Sequence, residues 1–328
     1  MSKSKNKSSL TAKTFQNATG KIDYTLTDSG MFQIVMCSNN KTLTGLLCAL
    51  LHLKPEEVKS VTILNPFEYG KVALDKTFIL DVKIELNNAA FIDIELQVRN
   101  QDYWSDRSLS YLCRLFDQLD AGEPYSNVKP AYHIGILDFT LFPKYPEFYA
   151  TNKMMNVKKH YIYNDKFTLN VLDLNQIELA TDEDKQWKLD YWARLFKATT
   201  WEELKMLAQK DPIFQETGQI IFQKNQDKKA REWCEFLRQD AERVRLTDEY
   251  LLQKKLEELT KAIEEAKAEL AEKESTITEK ESVIAERESV IAEKESDLTE
   301  KESTIEQQQA QIEQLRAEIQ KLKEAQKQ

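Results

Sequence analysis

Two stretches alternate between apolar and polar residues. In residues 78–86 (FILDVKIEL) and again in residues 91–98 (FIDIELQV) the even positions are apolar, and in the second stretch Asp93, Glu95 and Gln97 fall on the other face. A period of two predicts β-strands, and Asn87-Asn88 between them supplies turn residues. The two polar faces coincide only if paired residues match in parity, so the connection must hold three or five residues. An odd loop with Asn in the left-handed conformation sets Asp81 opposite Glu95. Their Cβ atoms would then lie about 5 Å apart, with Gln97 one step along the strand. Upstream, residues 41–52 read as a buried helix and residues 58–64 as a strand ended by Asn65-Pro66. Downstream, Arg107, Tyr111, Arg114 and Gln118 are spaced for one helical face, and Gly122 and Tyr125 suit a turn. Residues 131–139 form a further, buried strand in which His133 is expected to be structural.

Residues 176–250 are patterned as helices, in which Trp187, Trp192, Trp201 and Trp233 read as core rather than as base-stacking platforms. From residue 252 a seven-residue repeat runs to the end. With Ile277 at position a, Leu256, Ile263, Leu270, Ile284, Ile291, Leu298, Ile305, Ile312 and Ile319 share that position. Position d is apolar at Leu252, Leu259, Ala266, Leu315 and Leu322, but is Lys273, Lys280, Arg287, Lys294 and Lys301 in the centre. The seam is therefore weak in its middle, and self-association through the two apolar ends is favoured over an isolated charged helix. Most Glu and Lys here are sequence neighbours, which do not face each other on a helix.

Charge follows this division. The chain of 328 residues has a formal charge of −9, and residues 252–328 hold 13 basic and 20 acidic residues, leaving the rest near neutral. Residues 1–21 carry five lysines and no acid, and read as a disordered basic arm. The organisation expected is a basic leader (1–21), a catalytic-type α/β domain (22–175), an α-helical extension (176–250) and a coiled coil (251–328). Four widely spaced cysteines without a CxxC pair argue against a disulfide framework or a zinc site, and no apolar run approaches a membrane span. A cytoplasmic protein with reduced thiols is expected.

Two carboxylates as close as Asp81 and Glu95 repel unless a cation lies between them, and hard ions such as Mg²⁺, or Ca²⁺ or Mn²⁺, take such oxygens. The other reading of the same pattern is an ordinary solvated strand face.

The succession TLTDSGMF (25–32), LLCALL (46–51), ILNPF (63–67), ILDVKIEL (79–86), FIDIELQ (91–97) and the segment 107–142 resembles the Rpn family of recombination-promoting nucleases and putative transposases. That family belongs to the PD-(D/E)xK nuclease superfamily. The resemblance implies an α/β restriction-endonuclease-like core, a mixed central sheet flanked by helices, and a metal-dependent DNA endonuclease linked to recombination or mobile elements. Asp81 and Glu95 match the metal ligands, and Gln97 stands where most of the superfamily has lysine. An amide can position water but cannot act as its base. Asp28 matches the region of an upstream acid, or is simply a helix N-cap. Residues matching Arg107 and Tyr111 lie beside the catalytic strands in the family; Arg107 would neutralise a phosphate, or both would pack the helix on the sheet. The Gln97 exchange also supports a different reading, an inactive scaffold that binds partners or oligomerises through its coiled coil. A solvated Glu95 in a repulsive pair predicts that its loss spares the fold.

Overall fold

A computed structural model describes residues 14–65, 82–100 and 103–325. Within 14–244, a six-stranded mixed sheet is built from β1 (Val61–Ile63), β2 (Val82–Leu86), β3 (Ala90–Gln97), β4 (Ala131–Leu137), β5 (Tyr149–Met155) and β6 (Ile162–Asp173), in the order β1-β2-β3-β4-β6-β5. β1, β2 and β3 are antiparallel neighbours, whereas β3, β4 and β6 run parallel and β5 returns antiparallel on the edge. Helix α3 (Trp104–Phe116) makes the connection between the parallel pair β3 and β4, as a parallel crossover requires.

The β2–β3 connection is the odd loop that parity demanded. Leu86 pairs with Ala90, Asn87 and Asn88 are both left-handed, and Ala89 N donates to Leu86 O at 2.9 Å. The last described pair is Val82 with Ile94.

One sheet face is mainly apolar, with Thr168 and Asn170 as its buried polar residues on β6. Ile92, Ile94 and Leu96 join Ile134, Ile136 and Leu172 under α1 (Ser29–Ser38) and the helices that follow α2 (Asn40–Leu51), in a core holding Phe32, Trp192 and Phe196. Asp28 caps α1 by accepting from Gly30 N and Met31 N, and Asn39 caps α2 through Thr42 N. Further helices are α4 (Asp182–Gln186), α5 (Leu189–Lys197), α6 (Trp201–Ala208) and α7 (Pro212–Gln226). The segment 181–198 is two helices rather than one, because Lys188 between them is left-handed. Trp192, Trp201 and Trp233 are core residues as expected, while Trp187 is only partly buried and stacks on His52 at 5.5 Å.

The basic leader is shorter than its charge pattern suggested. Phe15 is buried against Trp201 and Phe222, with ring centroids 6.4 Å away in each case, and Ile22 N donates to Thr199 O. One aromatic ring in the right place outweighs the local polarity, because its burial offsets the ordering of its neighbours. Residues 1–13 lie outside the described residues. Gln118 also departs from the helical face assigned to it: α3 ends at Phe116, and the Gln118 amide instead bridges Leu115 O and Lys129 O while accepting from Lys129 N.

Helix α8 (Lys228–Ala325) is 98 residues long, about 150 Å at the α-helical rise. Its start belongs to the first compact unit, with Ala230, Trp233 and Cys234 in the core. Residues 245–328 form a second unit, in which the described a-position residues, among them Leu256, Ile263 and Ile284, are all exposed. Among the described residues no single helix is long and apolar enough to cross a membrane.

Phe15→Ala should lower the unfolding free energy by about 3–4 kcal/mol, as burial of a large aromatic implies. Urea denaturation measures this directly, and an unchanged midpoint would return residues 14–21 to a dispensable arm.

Candidate active site between the sheet and the third helix

The second face of the sheet carries the polar residues, and it too is covered. Asp93 and Glu95 point to the side on which α3 lies, and are 2% and 1% exposed. In the parallel register Asp93 stands beside His133 and Glu95 beside Gly135. The solvated-face reading of this strand is therefore corrected: the acids are inside the protein, where an ionised carboxylate persists only with a partner.

The partners come from β4 and α3. His133, fully buried, places Nδ1 3.2 Å from Asp93 Oδ2 and Nε2 3.5 Å from Glu95 Oε2. Arg107 Nη2 lies 2.7 Å from Glu95 Oε1. Burial alone would pull the His133 imidazole down, but the hydrogen bonds and negative charges of Asp93 and Glu95 outweigh it and lift it to about 9. The cluster thus joins two carboxyl side chains to two basic ones. Tyr111 sits edge-on to His133 at 5.9 Å and under the Arg107 guanidinium, 5.3 Å from its carbon. The helical spacing of Arg107 and Tyr111 is what brings both over this row.

Gly135 lets α3 come so close. A Cβ there would lie 2.3 Å from Cζ2 of Trp104, whose ring rests on the strand beside Glu95. The sequence reading did not place Asp93 or His133 in the site. The signal was available in Ala131, His133 and Gly135, which alternate with Tyr132, Ile134 and Ile136. Small and polar residues on one side of a buried strand mark the side where something else must fit.

The other candidates separate. Gln97, partly buried at the end of β3, donates its amide to Arg99 O at 3.1 Å. Asp28 has a structural role: besides capping α1 it accepts from Arg238 Nε at 2.7 Å, and nothing in these contacts joins it to Glu95. The neighbouring Cys234 thiol is pushed up by burial and by the Asp28 charge. Asp81 lies outside the described residues.

Both Glu95 oxygens and Asp93 Oδ1 are buried without a well-aligned hydrogen-bond donor. Hard anionic oxygens of this kind are the donors that Mg²⁺, Mn²⁺ or Ca²⁺ selects, so the residues present fit such an ion by donor type. Among the described residues no three side chains are grouped to hold one.

A family model described as PD-(D/E)XK nuclease family transposase matches residues 32–232, more than half of the chain. No curated protein and no solved structure shows significant similarity to it.

The buried cluster makes a thermodynamic prediction opposite to that of a solvated face. Arg107→Met should destabilise by about 3 kcal/mol, because it strands a buried carboxylate. Adding Glu95→Gln should recover part of that loss. A double-mutant cycle by urea denaturation tests the coupling, and additive effects would mean that the pair carries no mutual energy.

Proposed function

The chain belongs to the PD-(D/E)XK nuclease transposase family, and on that premise we propose that it is a metal-dependent endonuclease that hydrolyses phosphodiester bonds in DNA, with Asp81 and Glu95 as the metal ligands. The observation that carries this reading is the burial of Glu95 beside a buried histidine and against an arginine from the adjoining helix. A buried ion pair of this sort is a poor way to gain stability, since apolar residues of similar volume often do as well or better.

A bound Mg²⁺ or Mn²⁺ would polarise the phosphodiester and lower the pKa of an attacking water. The chain's own residues supply the remainder. Glu95 and Asp81 would hold the ion through oxygen. Arg107, beside Glu95, has the planar fork that would suit a phosphate. His133 stays between Asp93 and Glu95 and holds both carboxylates in place. Gln97, able to orient water but not to deprotonate it, leaves no side-chain base at the usual lysine position.

An inactive scaffold is the second reading, favoured by the Gln97 amide bonded to Arg99 O and by the cations already beside Glu95. One assay separates the two. Wild-type protein should nick supercoiled plasmid with Mg²⁺ or Mn²⁺ and not with EDTA, and Asp81→Ala should reduce the rate at least about a hundredfold, as loss of a group that positions the catalytic ion implies. Activity surviving Asp81→Ala would reject Asp81 as a ligand; no nicking by any form would favour the scaffold.

The heptads of α8 leave an apolar stripe exposed along a single helix, which supports a homo-oligomer joined through the coiled coil, so that one particle presents two nuclease cores. Ile312→Lys with Ile319→Lys should convert the particle to a monomer by light scattering and reduce double-strand breaks relative to nicks. A wild-type monomer at micromolar concentration would leave the stripe to another partner.

A further inference from the structure

The strands β5 and β6 continue beyond the rest of the sheet as a two-stranded ribbon with both faces uncovered. From residue 151 to 163 every residue except Asn156 is exposed, including Met154, Val157, Tyr161 and Tyr163, the last at 74%. Monomeric proteins seldom leave this much apolar surface on one projection. The ribbon is also basic: residues 152–166 contain Lys153, Lys158, Lys159 and Lys166 against the single acid Asp165, in a chain whose formal charge is −9. Among the described residues Lys153, Lys158 and Lys159 form no ion pair, whereas Lys166 is tied to Val128 O at 2.6 Å.

The tip is held by its own turn. Asn156 Oδ1 accepts from Lys158 N at 3.1 Å and Lys159 N at 2.8 Å, Asn156 N donates to Tyr161 O, and left-handed His160 closes the loop. Two adjacent lysines are thereby presented on an ordered loop.

Helix α3 links this ribbon to the acid cluster. Trp104 rests on Gly135 beside Glu95, Tyr111 meets His133, and Phe116 meets Phe167 edge-on at 5.4 Å. Past Phe116, a groove of about 670 Å³ continues between Tyr125 and Tyr163. In register Glu95 stands level with Val171 through Gly135. Tyr163 is therefore roughly 25 Å along the strand direction, about seven base-pair steps of duplex.

We infer that the β5–β6 ribbon is a duplex-DNA-binding element, engaging the substrate several base pairs from the bond that is cut. A two-stranded ribbon fits the major groove, lysines neutralise phosphates, tyrosine hydroxyls reach the backbone, and exposed apolar side chains contact thymine methyl groups. Edge lysines also discourage strand-to-strand aggregation, but that role gives no reason for the exposed Tyr161 and Tyr163 between and beside them. The inference rests on the nuclease reading for the identity of the polyanion.

The test is binding of full-length protein to a fluorescein-labelled duplex of about 30 base pairs, a length that spans site and ribbon, followed by anisotropy in EDTA so that cleavage is not involved. Lys153→Gln, Lys158→Gln and Lys159→Gln together should weaken binding at least about tenfold and flatten the slope of log K against log salt by about 2–3. Circular dichroism and melting should stay as in wild type, since these side chains are exposed. Equal affinity and slope in the triple variant overturns the inference, even if wild-type protein nicks plasmid. A lost slope supports it, even if no form nicks plasmid and the nuclease reading fails. Wild-type protein that binds no duplex overturns it, and so does a triple variant that keeps DNA affinity while its mass by light scattering falls, which would make the ribbon a contact between copies of the chain.

Discussion

The structure depends on a requirement for charge balance at a depth where water cannot provide it. Glu95 and Asp93 are buried on β3, and a basic side chain reaches each: Arg107 from α3 and His133 from β4. A helix lying on a sheet through apolar contacts alone tolerates some sliding, since dispersion is not directional. A helix whose arginine must find a carboxylate has one register. Trp104 over Gly135 makes the same demand sterically, so two independent constraints hold α3 at one place along β3 and β4.

The two faces of the sheet divide labour accordingly. The even-numbered residues of β3 and β4 join a continuous apolar core with the helices on that side, and this core supplies the stability. The opposite face has only a small apolar cluster, Trp104, Leu137, Phe139 and Val171, around its charges. Net stability gained on that side is small at best, since desolvation of each ion offsets most of the attraction between them. The buried charges of Asp93, Glu95 and His133 are concentrated on this one face, as expected where a local departure from the rule of apolar interiors serves something other than stability.

Much of this was legible in the chain. The alternation in 78–86 and 91–98, with parity, anticipated the odd Asn87–Asn88–Ala89 connection, and the spacing of Arg107 and Tyr111 put both on one helical face, which the structure lays over the acids. Burial was not legible, because an alternating strand under a second covering layer has the same pattern as one facing water. Hence Asp93 and Glu95 read as solvated, and His133 read as filler. Phe15 was missed for a related reason: local composition describes the neighbours of a residue in sequence, while its partners, Trp201 and Phe222, lie about two hundred positions away. The caps at Asp28 and Asn39 needed only adjacent residues, and Asp28 was accordingly open to that reading from the start.

The charged cluster and the apolar core differ in how far apart in the chain their members lie. His133 and Asp93 are 40 residues apart and belong to one β-α-β unit, whereas Asn225 bonds to Tyr24 across 201 residues and Arg238 to Asp28 across 210. Closing the small loop costs less entropy than closing the large one. On a ribosome, the unit that contains Asp93, Arg107 and His133 has emerged long before the segment that ties the N-terminal helix down. In the finished protein, opening of that long-range clasp is a separate, local event that need not disturb the β-α-β unit. The buried charged cluster is thus closed by local contacts, and the N-terminal helix by contacts that need almost the whole of the first unit.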